Sequence, residues 1–180
     1  AMAYSITYYL ESFERTATDL RYRGRIQFQN ETKYKGLYSR REIKSKRKRS
    51  YYGSLGHFKK ALLSNTLRQE GFRIYKTKDL KVTKPSRKNE LSEEDIIAFK
   101  GASWELDFED YLMVIFNKEK ESVNFLLDPS ATSIYGDHME GNKLVKEPGK
   151  QISMLKVLDG PVEIDLNGQV LDKFALTSYG

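Results

Sequence analysis

Apolar and polar positions along the chain alternate mostly with period two, and they change to a helical period in one long stretch. Tyr4-Ser5-Ile6-Thr7-Tyr8-Tyr9-Leu10 is rich in β-branched and aromatic residues and predicts a strand running on toward Phe13. Tyr22 to Phe28 alternates from Arg25 onward and predicts a half-buried partner strand, with a turn at Thr16 to Asp19. Phe72 to Tyr75 predicts a strand, followed by a polar excursion from Lys76 to Glu94 with a short strand at Leu80 to Val82. Ile96 to Phe99 precedes a hairpin candidate in which Trp104, Leu106 and Phe108 alternate with Glu105, Asp107 and Glu109. Tyr111 to Phe116 is apolar on both faces, as a central strand is. Ser122 to Leu127 predicts another strand, and Ser130 to Lys150 a loop. Three short strands close the chain at Ile152 to Leu155, Val162 to Leu166 and Gln169 to Leu171. The last two are joined by the turn pair Asn167-Gly168.

The helical stretch runs from residue 40 to 70. Ser39 stands three residues before Glu42, the spacing of a capping box, and Gly71 stands where a C-cap glycine belongs. Between them Tyr51, Leu55, Phe58 and Leu62 recur at offsets 4, 3 and 4, on one stripe of a helix. One continuous rod of this length would reach about 46 Å, with Gly53 as a bend or close-approach point. The expected fold class is α+β: an antiparallel sheet system of roughly eight to ten short strands with one long helix packed across it. The 180 residues suit a single domain. Ala1 to Ala3 reads as a cloning scar, and the ending at Tyr179-Gly180 as an excised piece of a longer protein.

Composition narrows the chemistry. There is no cysteine, which excludes disulfides, thiolate zinc sites, iron–sulfur clusters and a cysteine nucleophile. The longest wholly apolar run, Tyr111 to Phe116, is far short of the ~20 residues that cross a bilayer as a helix. The net charge of +6 is unevenly distributed: residues 1–90 carry 23 Lys and Arg against 8 Asp and Glu, and residues 91–180 carry 8 against 17. Two halves that neutralise each other are the preferred account, ahead of a polyanion site.

The basic run Arg40, Arg41, Lys44, Lys46, Arg47, Lys48 and Arg49, followed by Tyr51 and Tyr52, is the candidate polyanion surface. Cations neutralise phosphates and rings stack on bases, and Arg40, Arg41, Lys44, Lys48, Tyr51 and Tyr52 are the contacts such a site would use. On a helix the whole run spreads around most of the circumference, which favours a solvated or acid-paired face. His57 is expected to be half-buried and bonded to a neighbouring strand, not a catalytic base. His138, between Asp137 and Glu140, has the donor types for a weak metal site, but no metal or other cofactor is expected. Glu105, Asp107 and Glu109 read as the wet side of a strand. Gly53-Ser54-Leu55-Gly56 lacks the Lys-Ser/Thr sequel of a phosphate loop, and no Gly-x-Ser-x-Gly elbow or Gly-x-Gly-x-x-Gly occurs.

The string Arg49-Ser50-Tyr51-Tyr52-Gly53-Ser54-Leu55-Gly56-His57-Phe58-Lys59-Lys60-Ala61-Leu62, closing at Glu70-Gly71-Phe72, resembles a family of exported Bacteroidota proteins known as carboxypeptidase regulatory-like domain-containing. Asp165 to Asp172 followed by Leu176 to Gly180 is similar to that family's closing hairpin, which there runs on into a Trp-containing tail. The resemblance follows most of the chain in order, and these two stretches carry its specificity. It implies a periplasmic or outer-membrane address and an upstream β-sandwich regulatory-like domain in the same chain. The family name describes that neighbour's fold and implies no peptidase activity. It assigns no chemistry to Gly53, Ser54, His57 or Phe58.

The first functional expectation is therefore a non-enzymatic binding or scaffolding module of the bacterial envelope, with an envelope protein or glycan as partner. Gly53, Ser54, His57 and Lys60 are its candidate functional face. The second is a polyanion- or nucleic-acid-binding domain using the basic helix. The third is a hydrolase centred on His57.

Overall fold

The structure, a computed structural model of the chain, describes residues 3–16, 20–30, 38–80, 85–127, 139–140, 143–144, 150–158, 160–166, 168–171 and 176–179. The chain groups into two compact units, residues 1–52 and 53–180.

The first unit begins with an antiparallel ribbon of β1 (Tyr4–Arg15) and β2 (Leu20–Asn30). Tyr4, Ile6, Tyr8 and Leu10 lie opposite Asn30, Phe28, Ile26 and Gly24, so they share one face with Ile26 and Phe28. A bulge between Leu10 and Ser12 inserts one extra residue. It brings odd-numbered Phe13, opposite Tyr22, back onto the face of the even-numbered residues before it. Gly24 gives room to that face: a Cβ there would overlap the Tyr9 carbonyl oxygen and the Tyr8 ring. The opposite face is polar, with Tyr9 Oη donating to Gln27 Oε1 at 3.0 Å and Arg25 paired with Glu11 at 2.7 Å. The partner strand expected to be half-buried is in fact open, with Ile26 and Phe28 both exposed. The turn expected at Thr16 to Asp19 lies, past Thr16, outside the described residues.

Helix α1 (Arg40–Tyr51) completes this unit. Its capping box forms as its spacing predicts. Glu42 N–H donates to Ser39 Oγ at 3.3 Å, and Ser39 N–H and Oγ–H both donate to Glu42 Oε2 at 2.7 Å. The Ser39 hydroxyl, then its N–H, hold the Glu42 carboxyl below its usual range.

The single rod from 40 to 70 does not form. α1 stops at Tyr51, α2 spans Leu55–Leu63 and α3 spans Leu67–Glu70. Tyr52 is extended, Gly53 is left-handed at φ +73°, and Ser54 is an N-cap whose side chain accepts from His57 N–H. These three residues are a stop and a new start, which the hydrophobic stripe does not register. The second break is a Schellman-type turn: Asn65 is left-handed at φ +54°, and Thr66 N–H donates to Ala61 O at 2.9 Å. Gly71 ends α3 at φ +97°, as expected.

The second unit is built on a five-stranded antiparallel sheet. It contains β3 (Phe72–Thr77), β4 (Glu90–Leu91), β7 (Tyr111–Phe116), β10 (Gln151–Val157) and β12 (Leu176–Tyr179), in the order β12-β10-β7-β3-β4. A smaller antiparallel sheet has the order β11-β6-β5, from β5 (Ile97–Phe99), β6 (Trp104–Leu106) and β11 (Val162–Ile164). Its registers put Leu106 beside Val162 and Ile97, and Glu105 beside Glu163 and Ala98. Glu105 is thus on the wet side, as the alternation predicts, but the strand ends at Leu106, so Asp107 and Glu109 do not share a strand face with it.

Both faces of the central sheet carry apolar side chains. On one, Tyr75, Met113, Ile115, Ile152 and Met154 form a cluster with Leu80 and Phe125. On the other, Phe72 lies opposite Phe116, and Phe116 opposite Gln151, a row across three strands. Phe58 of α2 packs edge-on against Phe72, with centroids 5.5 Å apart.

Other expectations need correction. Ser122 to Leu127 is not a strand: Ser122 accepts from Phe125 N–H at 3.1 Å and starts α4 (Val123–Leu126). Within the expected loop of 130–150 a two-residue ladder forms between β8 (Met139–Glu140) and β9 (Lys143–Leu144). Residues 169–171 contribute one bridge, Val170 to Ile164, and not a strand. There Gly168 takes φ +79° and Asp165 N–H donates to Gln169 O; Asn167 lies outside the described residues, as do Lys81 and Val82 of another expected strand.

Gly53 and Gly101 allow strain to be separated from packing. Both have positive φ, but a Cβ on Gly53 would overlap Gln151 Oε1 and touch Phe116 Cδ1 at 3.0 Å, whereas one on Gly101 meets nothing within 4 Å. Gly101→Ala should cost about 1 kcal/mol and Gly53→Ala about 2 kcal/mol or more in urea unfolding followed by circular dichroism. Equal losses would mean that the close approach at Gly53 contributes nothing.

Candidate functional site

The Gly53–Ser54 turn lies against the Phe72–Phe116–Gln151 row, and His57 is the reason for its shape. The imidazole is 3% exposed. Its ring meets Phe72 at 4.8 Å and Phe116 at 5.7 Å between centroids, both edge-on. Gly53 N–H donates to Nδ1 at 3.2 Å, so that nitrogen carries no proton. Nε2 is then the protonated nitrogen and donates to Glu70 Oε2 at 3.2 Å. His57 therefore ties the start of α2 to the last residue of α3. It was expected half-buried and bonded to a strand. It is buried instead, and its polar partners are a turn amide and a helix carboxylate, because Phe72 and Phe116 offer only rings.

Beside the imidazole the sheet opens into a cavity of about 120 Å³. Gly53, Ser54, Leu55 and Phe58 form one side; Phe116, Gln151, Ser153, Leu155 and Ser178 are on the other. His57 is not part of the lining. Gln151 Oε1 is buried without a hydrogen-bond partner among the described residues. A buried oxygen in that state costs about 1–3 kcal/mol unless something donates to it. The cavity is thus lined by apolar side chains, by Ser54, Ser153 and Ser178, and by Gln151, whose buried oxygen has no partner among the described residues.

Of the four residues expected to share a face, Gly53 and Ser54 line the cavity. His57 supports them from behind, and Lys60 is exposed. Glu70, Gln151 and Ser178 were missed. Glu70 lies 13 residues beyond His57, off any helical repeat, because the chain reverses at Asn65 between them. Gln151 and Ser178 are polar residues in short strands, and only the pairing of those strands brings them near Gly53.

Six of the seven basic residues of α1 divide into two sets; Arg49, exposed, falls half a turn from Arg40 and belongs to neither. Lys46 and Arg47 fold back onto rings: Lys46 Nζ lies 3.2 Å above Tyr38, and the Arg47 guanidinium 3.8 Å above Tyr4. Arg47 also donates to Asn30 Oδ1 at 2.7 Å and to Ala3 O at 2.6 Å, which moors α1 to the open end of the ribbon. Arg40, Arg41, Lys44 and Lys48 fall within about a third of the helix circumference at 100° per residue. Among the described residues none of these four is in an ion pair with a carboxylate. Lys48 stands 5.4 Å from the Tyr52 ring, and Tyr51 and Tyr52 meet edge-on at 6.2 Å.

The other candidate chemistry stays dispersed. Glu105 pairs with Lys100 at 3.3 Å and Glu109 with Lys76 at 2.6 Å. The Lys76 ammonium holds the Glu109 carboxyl below its usual range. Burial pushes the Lys59 ammonium down, with Asp165 acting the other way. Among the described residues no group of three or more His, Asp or Glu is placed to hold a metal ion. Asp137 and His138 lie outside the described residues. Among the described residues no helix is long and apolar enough to cross a membrane. No family model, curated protein or solved structure matches the chain.

Two substitutions separate support from site. His57→Ala removes a buried ring and leaves the Gly53 amide unpaired, and should cost about 3 kcal/mol in denaturant unfolding. Gln151→Leu removes the unmet oxygen at similar volume and should raise stability by about 1 kcal/mol. A destabilised Gln151→Leu would show that the oxygen has a partner in solution.

Proposed function

We propose that the chain is a non-enzymatic binding module whose ligand places a small group in the cavity beside Gly53 and Ser54. One observation carries this: a cavity of mixed apolar and serine lining that includes Gln151, whose buried Oε1 has no hydrogen-bond partner among the described residues. Such a site favours a ring or short aliphatic group carrying one hydroxyl, amide or ammonium donor. The engagement of both His57 nitrogens supports binding over hydrolysis, since a general base needs a free nitrogen facing its substrate. The resemblance to the exported Bacteroidota proteins supports an envelope protein or glycan as the larger ligand. It also supports an envelope address and a regulatory-like β-sandwich as neighbour in the same chain.

Phenol and toluene make a minimal probe pair, alike in size and different in having a donor. In amide NMR titrations phenol should shift Gly53, Ser54, Leu155 and Ser178 at about millimolar concentration, and toluene should bind several-fold more weakly. Gln151→Leu should erase the difference. Absence of shifts at these amides with either probe would refute the cavity as a binding site.

A polyanion reading is favoured by a separate observation, the four cations on one arc of α1 without carboxylate partners among the described residues. If Arg40, Arg41, Lys44 and Lys48 each meet a phosphate, the slope of log affinity for single-stranded DNA against log salt should be about −3. Replacing all four by Gln should bring it near zero. An unchanged slope in that variant would remove α1 from the account.

A further inference from the structure

The ribbon of the first unit has one apolar face, and that face is open. Ile6 is 62% exposed, Leu10 57%, Phe13 56%, Ile26 56% and Phe28 59%, with Tyr4 and Tyr8 exposed between them. Registration places all of them on one side. Glu11, Arg25 and Gln27 mark the other side as the wet one. Over the roughly 40 Å of a twelve-residue strand this makes an apolar patch on the scale that marks an interaction surface. A two-stranded ribbon alone is marginal in water, so covering this face also stabilises it.

Charge decides the occupant. Residues 1–52 hold 13 Lys and Arg against 5 Asp and Glu, a balance of +8. Arg47 moors the basic helix at the Tyr4–Asn30 end of the same apolar face. A second copy placed face to face would bring two such units together, which their repulsion opposes. Unpaired bases stack on continuous rings, and here Ile6, Leu10 and Ile26 interrupt the aromatic series. An anionic lipid surface meets both demands. Its acyl boundary accepts the aliphatic and phenyl groups, tyrosine hydroxyls stay at headgroup level, and the headgroups neutralise Arg40, Arg41, Lys44 and Lys48.

We infer that the β1–β2 ribbon and α1 form a peripheral membrane-docking surface, selective for anionic lipid. The lipid selectivity rests on the polyanion reading of α1, and the insertion of the ribbon goes beyond it. Co-sedimentation with phosphatidylglycerol-containing vesicles and with pure phosphatidylcholine vesicles tests both parts. Binding to the anionic vesicles should be at least roughly tenfold tighter. Ile6→Glu/Phe28→Glu, at two open positions, should lose at least roughly tenfold, and the four-Gln variant of α1 should lose the selectivity. The milder Ile6→Ser/Phe28→Ser pair, checked by far-ultraviolet circular dichroism, should show the same direction of loss with the ribbon intact. Retention of vesicle binding by both ribbon variants would overturn the docking face. Salt-sensitive binding to DNA without vesicle binding would overturn the lipid assignment while sparing the polyanion reading, and binding to neither would refute both. A doubled mass in light scattering, abolished by Ile6→Glu/Phe28→Glu, would replace the membrane with a second copy.

Discussion

The second unit depends on one buried imidazole with two obligatory partners. His57 sits on the rings of Phe72 and Phe116, where water does not reach and where neither ring accepts a strong hydrogen bond. Both nitrogens therefore need partners from elsewhere. The Gly53 amide meets one and the Glu70 carboxylate the other. Meeting Nδ1 requires the chain to enter α2 through a left-handed residue, which is why glycine stands there. Meeting Nε2 requires α3 to return beside α2, which is why the chain reverses at Asn65. Two helix breaks that look unrelated along the sequence thus follow from one side chain.

That dependence explains what was legible. The strands were read well wherever one face is wet, because alternation is then imposed by the solvent. Trp104 to Leu106 against Glu105 is such a case. The rod was misread because a hydrophobic stripe reports direction and not continuity. Tyr51 and Leu55 sit four apart and are both exposed, and the chain between them is not helical. Tyr52-Gly53-Ser54 contains a glycine and an N-cap serine, but the stripe continues past them in register and hides the stop. Residues 122–127 failed for a related reason: four apolar residues among the five from Val123 to Leu127 suit a strand or one helical turn, and only the Ser122 cap separates the two.

The site was legible at its edge only. Gly53 and Ser54 stand out because a glycine and a serine interrupt an apolar pattern. His57 stands out because the chain has two histidines. Glu70 and Gln151 do not stand out at all. Each becomes relevant through a long-range pairing, α3 against α2 and β10 against β7, that no local window contains. The basic run was visible, but its division was not. Arg47 and Lys46 leave the solvent-facing set because Tyr4 and Tyr38 are brought to them by folding.

The places where this chain departs from good local design fall in few regions. A well-built core leaves no acceptor unmet, and Gln151 Oε1 has no partner among the described residues. A well-built strand pair covers its apolar face, and the ribbon leaves Ile6, Ile26 and Phe28 in water. A helix with cations in its first turns opposes its own dipole, and α1 starts with Arg40 and Arg41. Each departure destabilises the isolated chain, and each is reduced by a different kind of contact: a donor, an apolar phase, an anion. Elsewhere the same chain obeys the rules closely, with a two-way capping box at Ser39 and an amide and a carboxylate supplied to a buried histidine. A sequence that satisfies its polar groups so fully in most of the fold and omits to do so at these points has the pattern expected when the missing partners belong to other molecules.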